Sequence, residues 1–498
     1  MAKTQQEYEK MAQSLTYPTQ AFIGGKFVDA KSGKTSETVN PATGKVFASF
    51  SSCDENDVDE AVKIARKTFD SGVWSKMHPT ERKKILLKYA DILESKLEEL
   101  AVLETLDSGK PIGEVMSTDI PEAVHAIRWH AEFTDKRYGQ VSPSGDGAVG
   151  LVTKEAVGVV ACIMPWNFPI MTTTWKLAPA LAEGNSVILK PASQTSLTTL
   201  RLAELAAEAG IPEGVLQVLP GSGSVIGKAL GLHMGVNAIS FTGSTEVGSQ
   251  LLEYSAKSNL KKISLELGGK SPFVLCDDVK DLNKAVNAAL AASFWNTGQN
   301  CTANTRIFVP NNRKDEFVEL MLKGLEKDWH IGDPMNPANN MGPMISESHF
   351  KNVMHYVEKG VSEGCKVATG GHALNIGSGI YVAPTLFVDP KMDSEIITHE
   401  IFGPVSCIIG VNSNEEAIKL ANDTNYGLQA TLFTDNLQNA HIYARQLKAG
   451  TVSVNKYCEG DITTPFGGLK MSGFGGQDNA EAAHEQYSEL KTIFINLE

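Results

Sequence analysis

Cys301 has the setting that covalent catalysis by a thiol requires. It stands in the polar, glycine-containing loop GQNCT, between a predicted helix and the predicted strand TRIFVP. A cysteine in a partly exposed loop can ionise and attack an electrophile. Buried structural thiols are the commoner kind of cysteine, so position alone leaves both roles open.

Two further polar residues follow predicted buried strands. Glu266 ends the strand KKISLE, where it is either a general base whose pKa is raised by burial or a salt-bridged or capping glutamate. Asn167, in PWNFP after the strand GVVACIM, is either a hydrogen-bond donor to an oxyanion or a turn residue beside prolines. Neither residue is decisive alone.

Two glycine-rich turns connect predicted strands to predicted helices. One runs from Gly221 through Gly223 to Gly227, and the other from Phe241 through Ser244 to Gly248. Helix N-termini at such turns attract phosphate, although the first turn lacks the GxGxxG spacing and is weak by itself. We expect the two turns to lie on neighbouring strands, which favours a nucleotide site.

The elements that would position these residues alternate between short apolar strands and helices. From residue 158 the predicted strand GVVACIMPW is followed by the strand SVILKP, and helices then alternate with the strands GVLQVLPG, AISFTG and KKISLELGG. This pattern is typical of a parallel sheet with ligands at its carboxyl edge. A second alternating stretch follows Cys301. Upstream, residues 54–69 and 80–106 each predict one helix, and the tail SELKTIFINLE predicts a strand with an unpaired edge.

Length and composition restrict the class of protein. A chain of 498 residues predicts more than one domain. The formal charge of −13 argues against nucleic-acid and anionic-membrane partners. Seven scattered cysteines without a CxxC pair predict neither a disulfide framework nor a zinc site, and we expect no metal. Without an apolar signal core or an 18-residue apolar run, we expect a cytoplasmic protein.

From about residue 20 to its end, the chain resembles the aldehyde dehydrogenase superfamily. Seven stretches occur in that family's order and spacing: MPWNFP (164–169), ILKPAS (188–193), FTGSTEVG (241–248), LELGGKSP (265–272), GQNC (298–301), EIFGPV (400–405) and PFGGLKMSG (465–473). The resemblance implies an α/β fold with a Rossmann-like nucleotide-binding domain (1–139 and 159–270), an α/β catalytic domain (271–479) and a small bridging β-sheet (140–158 and 480–498). It also implies a homodimer or homotetramer.

The resemblance assigns the reaction. Cys301 would add to an aldehyde, Asn167 and the Cys301 N–H would hold the oxyanion, and hydride would pass to NAD or NADP. Glu266 would then activate the water that releases a carboxylic acid, and Lys176 could take part in proton relay. Coenzyme-A-acylating relatives, the nearest enzymatic alternative, typically lack the matching glutamate. A non-catalytic protein on this fold is the other alternative.

The resemblance also implies a cofactor site, with three departures from the family pattern. Ser193 replaces a glutamate that repels the 2′-phosphate of NADP, so we expect NADP to be accepted. His349 replaces a glutamine at the ribose contact. Gln477 replaces an acidic residue, which puts a secondary proton path in doubt. The implied cofactor residues are Ile163, Met164, Pro165, Trp166, Lys190, Ser193, Gly223, Phe241, Ser244, Val247, Leu267, His349, Glu400 and Phe402.

The helix from Asp119 and the loop Tyr457-Cys-Glu459-Gly-Asp461 resemble those of bacterial dehydrogenases for γ-glutamyl-γ-aminobutyraldehyde and related amino-aldehydes. The acidic side chains in these two segments could attract an ammonium group, or they could be solvated surface acids. The implied substrate residues are Asp119, Phe168, Trp175, Thr302, Tyr457, Glu459 and Asp461. Broad aldehyde specificity is the alternative.

Overall fold

The strands of the protein form two large sheets and three small ones. A computed structural model describes residues 3–497; residues 1, 2 and 498, the outermost ends of the predicted domain ranges, lie outside the described residues. In chain order the strands are β1 Ala21–Ile23, β2 Lys26–Val28, β3 Thr35–Asn40, β4 Lys45–Ser51, β5 Gln140–Ser142, β6 Ala148–Ala156, β7 Val159–Ile163, β8 Ser186–Lys190, β9 Leu216–Val218, β10 Ala238–Thr242, β11 Lys262–Glu266, β12 Ser271–Leu275, β13 Asn304–Pro310, β14 Lys366–Thr369, β15 Ala373–Leu374, β16 Tyr381–Val382, β17 Thr385–Val388, β18 Val405–Val411, β19 Gln429–Phe433, β20 Thr451–Val454, β21 Gly473–Phe474 and β22 Ser488–Asn496.

The helices pack mainly on the faces of the two large sheets. They are α1 Gln5–Ser14, α2 Glu55–Ser71, α3 Pro79–Ser95, α4 Leu97–Ser108, α5 Ile112–Glu114, α6 Ile120–Phe133, α7 Pro169–Ala182, α8 Leu197–Ala209, α9 Gly223–Leu232, α10 Thr245–Ala256, α11 Leu282–Phe294, α12 Lys314–Asp328, α13 Glu347–Ser362, α14 Glu395–Thr398, α15 Asn414–Asn422, α16 Leu437–Gln446 and α17 Ala480–Glu485. A π-helical segment, Val115–Asp119, joins α5 to α6.

The first large sheet has the strand order β2-β1-β9-β8-β7-β10-β11-β21. Its central strands β9, β8, β7, β10 and β11 are parallel, and β1 and β21 join them antiparallel. Buried apolar side chains cover both faces, with α3, α4, α6, α7 and α8 on one side and α2, α9 and α10 on the other. This doubly wound arrangement confirms the predicted α/β class.

The second large sheet has the order β14-β17-β18-β13-β12-β19-β20 and is parallel except for β14. It too has a buried apolar core on each face. The chain passes directly from the carboxyl end of β11 in the first sheet to the amino end of β12 in the second. The carboxyl edge of one sheet therefore adjoins the amino edge of the other.

A third sheet has the antiparallel order β22-β6-β5. It contains the predicted C-terminal strand at its edge, as the sequence indicated. The division of the chain into three domains at the predicted boundaries remains a prediction. Among residues 3–497, no helix combines the length and apolar character needed to cross a membrane.

Two expectations about the first sheet and its helices were wrong. Residues 80–106 form two helices, α3 and α4, with a non-helical Lys96 between them. Residues 100–103 of α4 are completely buried, so the packing of the core sets the direction of this helix independently of α3. The sequence contains no glycine or proline at the break between the two helices. The glycine-rich turns follow β9 and β10, which are separated by β8 and β7 because the strand order reverses at β7.

Candidate active site

A cleft of about 1020 Å³ lies where the two large sheets meet. The carboxyl ends of β7, β10 and β11 contribute one wall, and the segments that precede β12, β13, β18 and β19 contribute the other. Its lining residues are Pro165, Trp166, Asn167, Phe168, Met171, Thr172, Trp175, Thr242, Gly243, Ser244, Glu266, Leu267, Gly268, Asn300, Cys301, His349, Glu400, Phe402, Leu428, Glu459, Phe466 and Asp478.

A tight left-handed turn presents Cys301 to this cleft. Asn296, Thr297 and Gly298 have φ values of 50°, 56° and 68°. A β-carbon on Gly298 would lie 2.3 Å from the Gly403 carbonyl oxygen, so only glycine fits there. Thr297 is strained in this region, and its hydroxyl accepts a hydrogen bond from the Gly342 N–H at 2.9 Å. The turn is thus held by surrounding structure.

Asn167 is fastened to the same turn. Its Nδ2 donates to the Gln299 carbonyl at 3.0 Å, and its own carbonyl accepts from Asn296 Nδ2 at 3.1 Å. A side-chain amide carries two N–H groups, so the second remains available on the cleft side. The hydrogen bonds fix the position of Asn167 relative to the turn that precedes Cys301.

Cys301 is half-buried and packs against the apolar cluster that includes Phe168, Met171 and Trp175. Burial raises the pKa of its thiol well above the ordinary value, and the negative charges of nearby glutamates raise the pKa further. The protein alone therefore keeps this side chain as a thiol at neutral pH.

Glu266 projects into the cleft from the end of β11. Both of its carboxylate oxygens are buried and have no hydrogen-bond partner in the described part of the chain. A β-carbon on Gly467 would lie 2.9 Å from Oε1, so that glycine makes room for the carboxylate. Burial, followed by the charge of Asp478, raises the pKa of Glu266 well above its usual value. These are the properties of a general base poised for protonation.

Lys176 is buried and does not line the cleft, but it contacts a residue that does. Its Nζ forms a buried ion pair with Asp478 at 2.9 Å and donates to the Ser240 hydroxyl at 3.1 Å. Asp478 itself lines the cleft. The sequence motifs did not indicate a role for Asp478. Because it directly follows Gln477 and supplies a carboxylate, the glutamine at position 477 does not leave this region without an acid.

Glu400 faces the cleft from the opposite wall. Its Oε1 accepts a hydrogen bond from the Gly269 N–H at 2.8 Å, and burial raises its pKa to about 7. A β-carbon on Gly268 would lie 1.9 Å from Oε2, so the close approach of this carboxylate requires glycine. One oxygen is anchored to the backbone while the other lies beside Gly268.

Aromatic side chains form the neighbouring wall. Phe402 has a left-handed φ of 60° and stands with its ring centroid 5.2 Å from that of Trp166. His349 Nε2 donates to the Phe402 carbonyl oxygen at 2.7 Å, and its ring lies 5.2 Å from Trp166. The histidine that replaces glutamine therefore holds Phe402, a contact that the sequence did not indicate.

Other predicted cofactor residues lie outside this cleft. Lys190 is buried, its Nζ donates to the Pro191 carbonyl at 2.7 Å, and burial lowers its pKa to about 8. A β-carbon on Gly223 would be 3.7 Å from the same Nζ. Ser193 lines a second cavity, which also contains Glu37 and Glu347.

The remaining predicted cofactor residues flank the cleft in different ways. Ile163 and Met164, at the end of β7, and Phe241, within β10, are buried. Val247 is 42% exposed on α10, and its N–H donates to the capping hydroxyl of Ser244. Leu267 and Pro165 reach the cleft surface.

Five of the predicted substrate residues line the cleft or the cavity outside it. Phe168 and Trp175 line the cleft, and Trp175 also lines an outer cavity with Tyr457 and Asp461. Glu459 borders both cavities. Thr302 differs from the prediction, because it is fully buried and its hydroxyl hydrogen-bonds with Tyr457 and Glu459 behind the cleft wall.

The prediction that Asp119 attracts substrate was wrong. Asp119 is completely buried and pairs with the buried ammonium of Lys110 at 2.5 Å. Lys110 Nζ also lies 3.6 Å from the centre of the Phe168 ring. The π-helical segment that ends at Asp119 thus places this carboxylate in the interior, where its partner Lys110 contacts Phe168 of the cleft wall.

Replacement of Asp119 by asparagine should destabilise the protein. It leaves the Lys110 ammonium buried without a counter-ion, which costs about 3–5 kcal/mol when one partner of a buried pair is removed. The midpoint of chemical denaturation measures this effect. Asp461→Asn, at an exposed acid, is the matched control and should change stability by about 0.5 kcal/mol or less. Unchanged stability of Asp119→Asn would contradict the burial of this pair.

The fold and the cleft define a doubly wound α/β enzyme with a cysteine, an amide donor and a desolvated carboxylate around one reaction centre. A sequence profile of the aldehyde dehydrogenase family matches residues 27–493. The chain is 46% identical over 493 residues to aminoacetaldehyde dehydrogenase of Pseudomonas aeruginosa, covering 99% of each chain. It is 45% identical over 491 residues to NADP/NAD-dependent aldehyde dehydrogenase PuuC of Escherichia coli, covering 99% of this chain and 98% of the relative.

A solved structure gives the same result. The crystal structure of gamma-glutamyl-gamma-aminobutyraldehyde dehydrogenase from Burkholderia cenocepacia superposes with a TM-score of 0.97, at 46% identity and with 100% of both chains covered. The chain belongs to the aldehyde dehydrogenase family. The family resemblance seen in the seven sequence stretches is thereby confirmed.

Proposed function

We propose that this protein oxidises aldehydes to carboxylic acids with NAD or NADP, through a covalent intermediate on Cys301. The observation that carries the proposal is the meeting of Cys301, Asn167 and Glu266 in one cleft. Covalent catalysis of this kind needs a nucleophile, an oxyanion donor and a base around one carbonyl carbon.

In the first half of the reaction, the Cys301 sulfur adds to the aldehyde carbon. The free N–H of Asn167 and the backbone N–H of Cys301 donate to the oxygen that becomes negative. Such pre-positioned donors commonly contribute a factor of about 10²–10³ in rate. The apolar cluster around Cys301 excludes water from this step and strengthens the hydrogen bonds.

The cleft and its surroundings fit a nicotinamide dinucleotide. Glu400, anchored through Oε1, can accept hydrogen bonds from ribose hydroxyls, and the aromatic wall of Trp166 and Phe402 can contact the ring. Lys190 lies beside Gly223 at the N-terminus of α9, where no side chain caps the first N–H groups. Those groups can bind phosphate. When bound, the nicotinamide supplies the two-electron acceptor for the oxidation.

In the second half, Glu266 takes a proton from water, which attacks the Cys301 thioester. The carboxylate can do this because neither of its oxygens is engaged by the described protein atoms. Burial raises the pKa of Glu266 well above its usual value, which makes it a stronger base than an exposed carboxylate. The buried Lys176–Asp478 pair beneath Glu266 offers a route for the proton to leave.

We propose amino-aldehydes as the substrate class. Glu459 borders both the outer cavity and the cleft, and the outer cavity also contains Glu122 and Asp461. These acids give the funnel a negative field that attracts ammonium groups. The substrates in the names of the P. aeruginosa and B. cenocepacia relatives support this choice.

The rate of NAD(P)H formation with a panel of aldehydes tests the function. γ-Aminobutyraldehyde, its γ-glutamyl derivative, 3-hydroxypropionaldehyde, propanal and benzaldehyde would be compared with both cofactors. Faster oxidation of the amino-aldehydes would support the proposed substrate class. Similar rates with all five aldehydes would instead indicate an enzyme of broad specificity. Absence of turnover with every aldehyde and both cofactors would contradict the proposal.

Ser193→Glu should shift cofactor use away from NADP. A carboxylate at this position would oppose the 2′-phosphate, and like charges held together at a binding interface cost several kcal/mol. We expect the ratio of kcat/KM for NADP over NAD to fall about tenfold or more. Gln438→Glu, at an exposed position on α16 outside the second cavity, serves as the control. An unchanged ratio in Ser193→Glu would show that Glu37 or another residue of the second cavity sets the preference.

We further propose a homodimer or homotetramer built on the β22-β6-β5 sheet. β22 is an edge strand, and its Leu490 and Phe494 side chains are 69% and 66% exposed. Exposed apolar edge strands are normally covered by another chain. Analytical ultracentrifugation distinguishes a homodimer or homotetramer from a monomer.

We also propose that the protein works in a reducing compartment such as the cytoplasm, because its seven cysteines are free.

A further inference from the structure

Glu459 contacts both chain neighbours of the nucleophile. Its Oε1 accepts hydrogen bonds from the Thr302 hydroxyl and, at 3.4 Å, from Asn300 Nδ2. The Tyr457 hydroxyl lies 2.8 Å from both of these side chains. Both bonds to Glu459 end on Oε1, so Oε2 is available to a ligand. The carboxylate is therefore fixed beside Cys301 by two polar side chains, which the Tyr457 hydroxyl links to each other.

The position of Glu459 places it on the path of the substrate. It borders the outer cavity together with Glu122 and Asp461, and it borders the cleft together with Cys301. An aldehyde that moves from the outer cavity to the nucleophile passes this carboxylate. A substrate ammonium group can then bind Glu459 while the aldehyde group lies at Cys301.

Among residues 3–497, no lysine, arginine or histidine forms an ion pair with this carboxylate, although Lys456 lines the outer cavity. Lys110, which influences Glu459, is already paired with Asp119 and stands over the Phe168 ring. On the cleft side the other charged groups that influence the thiol are Glu400 and Glu266, which are also acidic. In a partly buried site of this kind, an added positive charge acts over several ångströms with little screening.

The acidic side chains near Cys301 also affect the ionisation of its thiol. Burial raises the pKa of the Cys301 thiol, and among the charged neighbours Glu459 raises it most. A cation bound at Glu459 opposes that effect and stabilises the thiolate. The ionisation of the nucleophile and the recognition of the substrate thus depend on one side chain.

We propose that an ammonium group bound to Glu459 promotes ionisation of Cys301, so that a cationic substrate activates its own nucleophile. This inference rests on the proposed function and gives its substrate class a mechanism. The Cys301 S–H bond breaks, the proton passes to water, and the sulfur keeps the electron pair with which it attacks the carbonyl. Amino-aldehydes then exceed neutral aldehydes of equal length in the rate of acylation as well as in binding.

The rate at which iodoacetamide alkylates Cys301 tests this inference without cofactor or turnover. Ethanolamine would be the cationic probe and ethylene glycol its neutral counterpart, at equal pH and ionic strength, with alkylation measured by mass spectrometry of the Cys301 peptide. We expect ethanolamine to accelerate alkylation of the wild-type protein about threefold or more. Ethylene glycol should have no such effect.

Two variants test whether the effect of ethanolamine depends on Glu459. Glu459→Gln should be alkylated faster than wild type without any amine and should not respond to ethanolamine. Glu326→Gln, which removes an exposed acid on α12 that lines neither cavity, should keep the wild-type response. Equal effects of ethanolamine and ethylene glycol on wild type, or a full ethanolamine response in Glu459→Gln, would overturn the inference. The wild-type comparison needs no variant, so it stands even if Glu459→Gln fails to fold.

Oxidation of propanal by the wild-type protein separates this inference from the proposed function. Propanal carries no cation, so its turnover depends on Cys301 and Glu266 but not on binding at Glu459. Turnover of propanal without any amine effect on alkylation would overturn the coupling and leave aldehyde oxidation intact. Absence of turnover with all aldehydes would overturn the proposed function itself.

Discussion

Cys301→Ala should lower the rate of aldehyde oxidation by a factor of about 10³ or more, because no covalent intermediate can form. The small alanine side chain is compatible with the left-handed turn at residues 296–298, whose geometry does not depend on the sulfur. The variant should therefore fold and denature like the wild-type protein. NAD(P)H formation under single-turnover conditions measures the loss.

Cys458→Ala is the matched control for this variant. Cys458 is the second half-buried cysteine of the chain and lies in the outer cavity. Its removal should leave oxidation of propanal within about twofold of wild type, as for most changes away from the reacting atoms. Substantial activity in Cys301→Ala, or loss of activity in Cys458→Ala, would show that the nucleophile has been misassigned.

Glu266→Gln should trap the enzyme after its first chemical step. Glutamine keeps the shape of the side chain but cannot take a proton from water, and general bases commonly contribute about 10²–10⁴ in rate. We expect a rapid burst of one NAD(P)H per active site, followed by a steady rate about 10²–10³ lower than that of wild type. Rapid-mixing absorbance measurements resolve the two phases.

The pH dependence of the steady rate gives a second readout. Burial raises the pKa of Glu266, so in the wild-type protein the base is increasingly protonated as the pH falls and hydrolysis slows. The rate of hydrolysis should therefore rise with pH, and this rise should be lost in Glu266→Gln. Glu246→Gln, at an exposed position on α10, should keep both the rate and the profile. A Glu266→Gln variant with a wild-type steady rate would exclude Glu266 as the base.

The strands and helices of the nucleotide-binding half could be predicted well from sequence, because each is a short local pattern. Strands β7 and β8 contain continuous apolar runs, β9 to β11 combine apolar with polar residues, and each of the five is followed by a segment with proline or glycine. The order of the strands could not be predicted, since it depends on which strands pair across the sheet. The break at Lys96 was missed for a similar reason: the direction of α4 is set by packing in the core.

The reaction centre was predicted from the sequence motifs together with the positions of polar residues at the ends of the predicted strands. Asn167 and Glu266 directly follow parallel strands, and side chains at that edge converge. Asp119 was misassigned because its sequence does not reveal that Lys110 faces it from another element. Asp478 was overlooked because its pairing with Lys176 joins residues 302 positions apart. Such contacts are decided by tertiary packing.

Intact-protein mass spectrometry of Glu266→Gln, quenched after mixing with propanal and NAD, tests the covalent reaction most directly. We predict a mass increase equal to one propionyl group, located on the Cys301 peptide, together with one equivalent of NADH. Formation of NADH without an adduct, or an adduct on any other residue, would contradict the assignment of Cys301 and Glu266 to the two halves of the reaction.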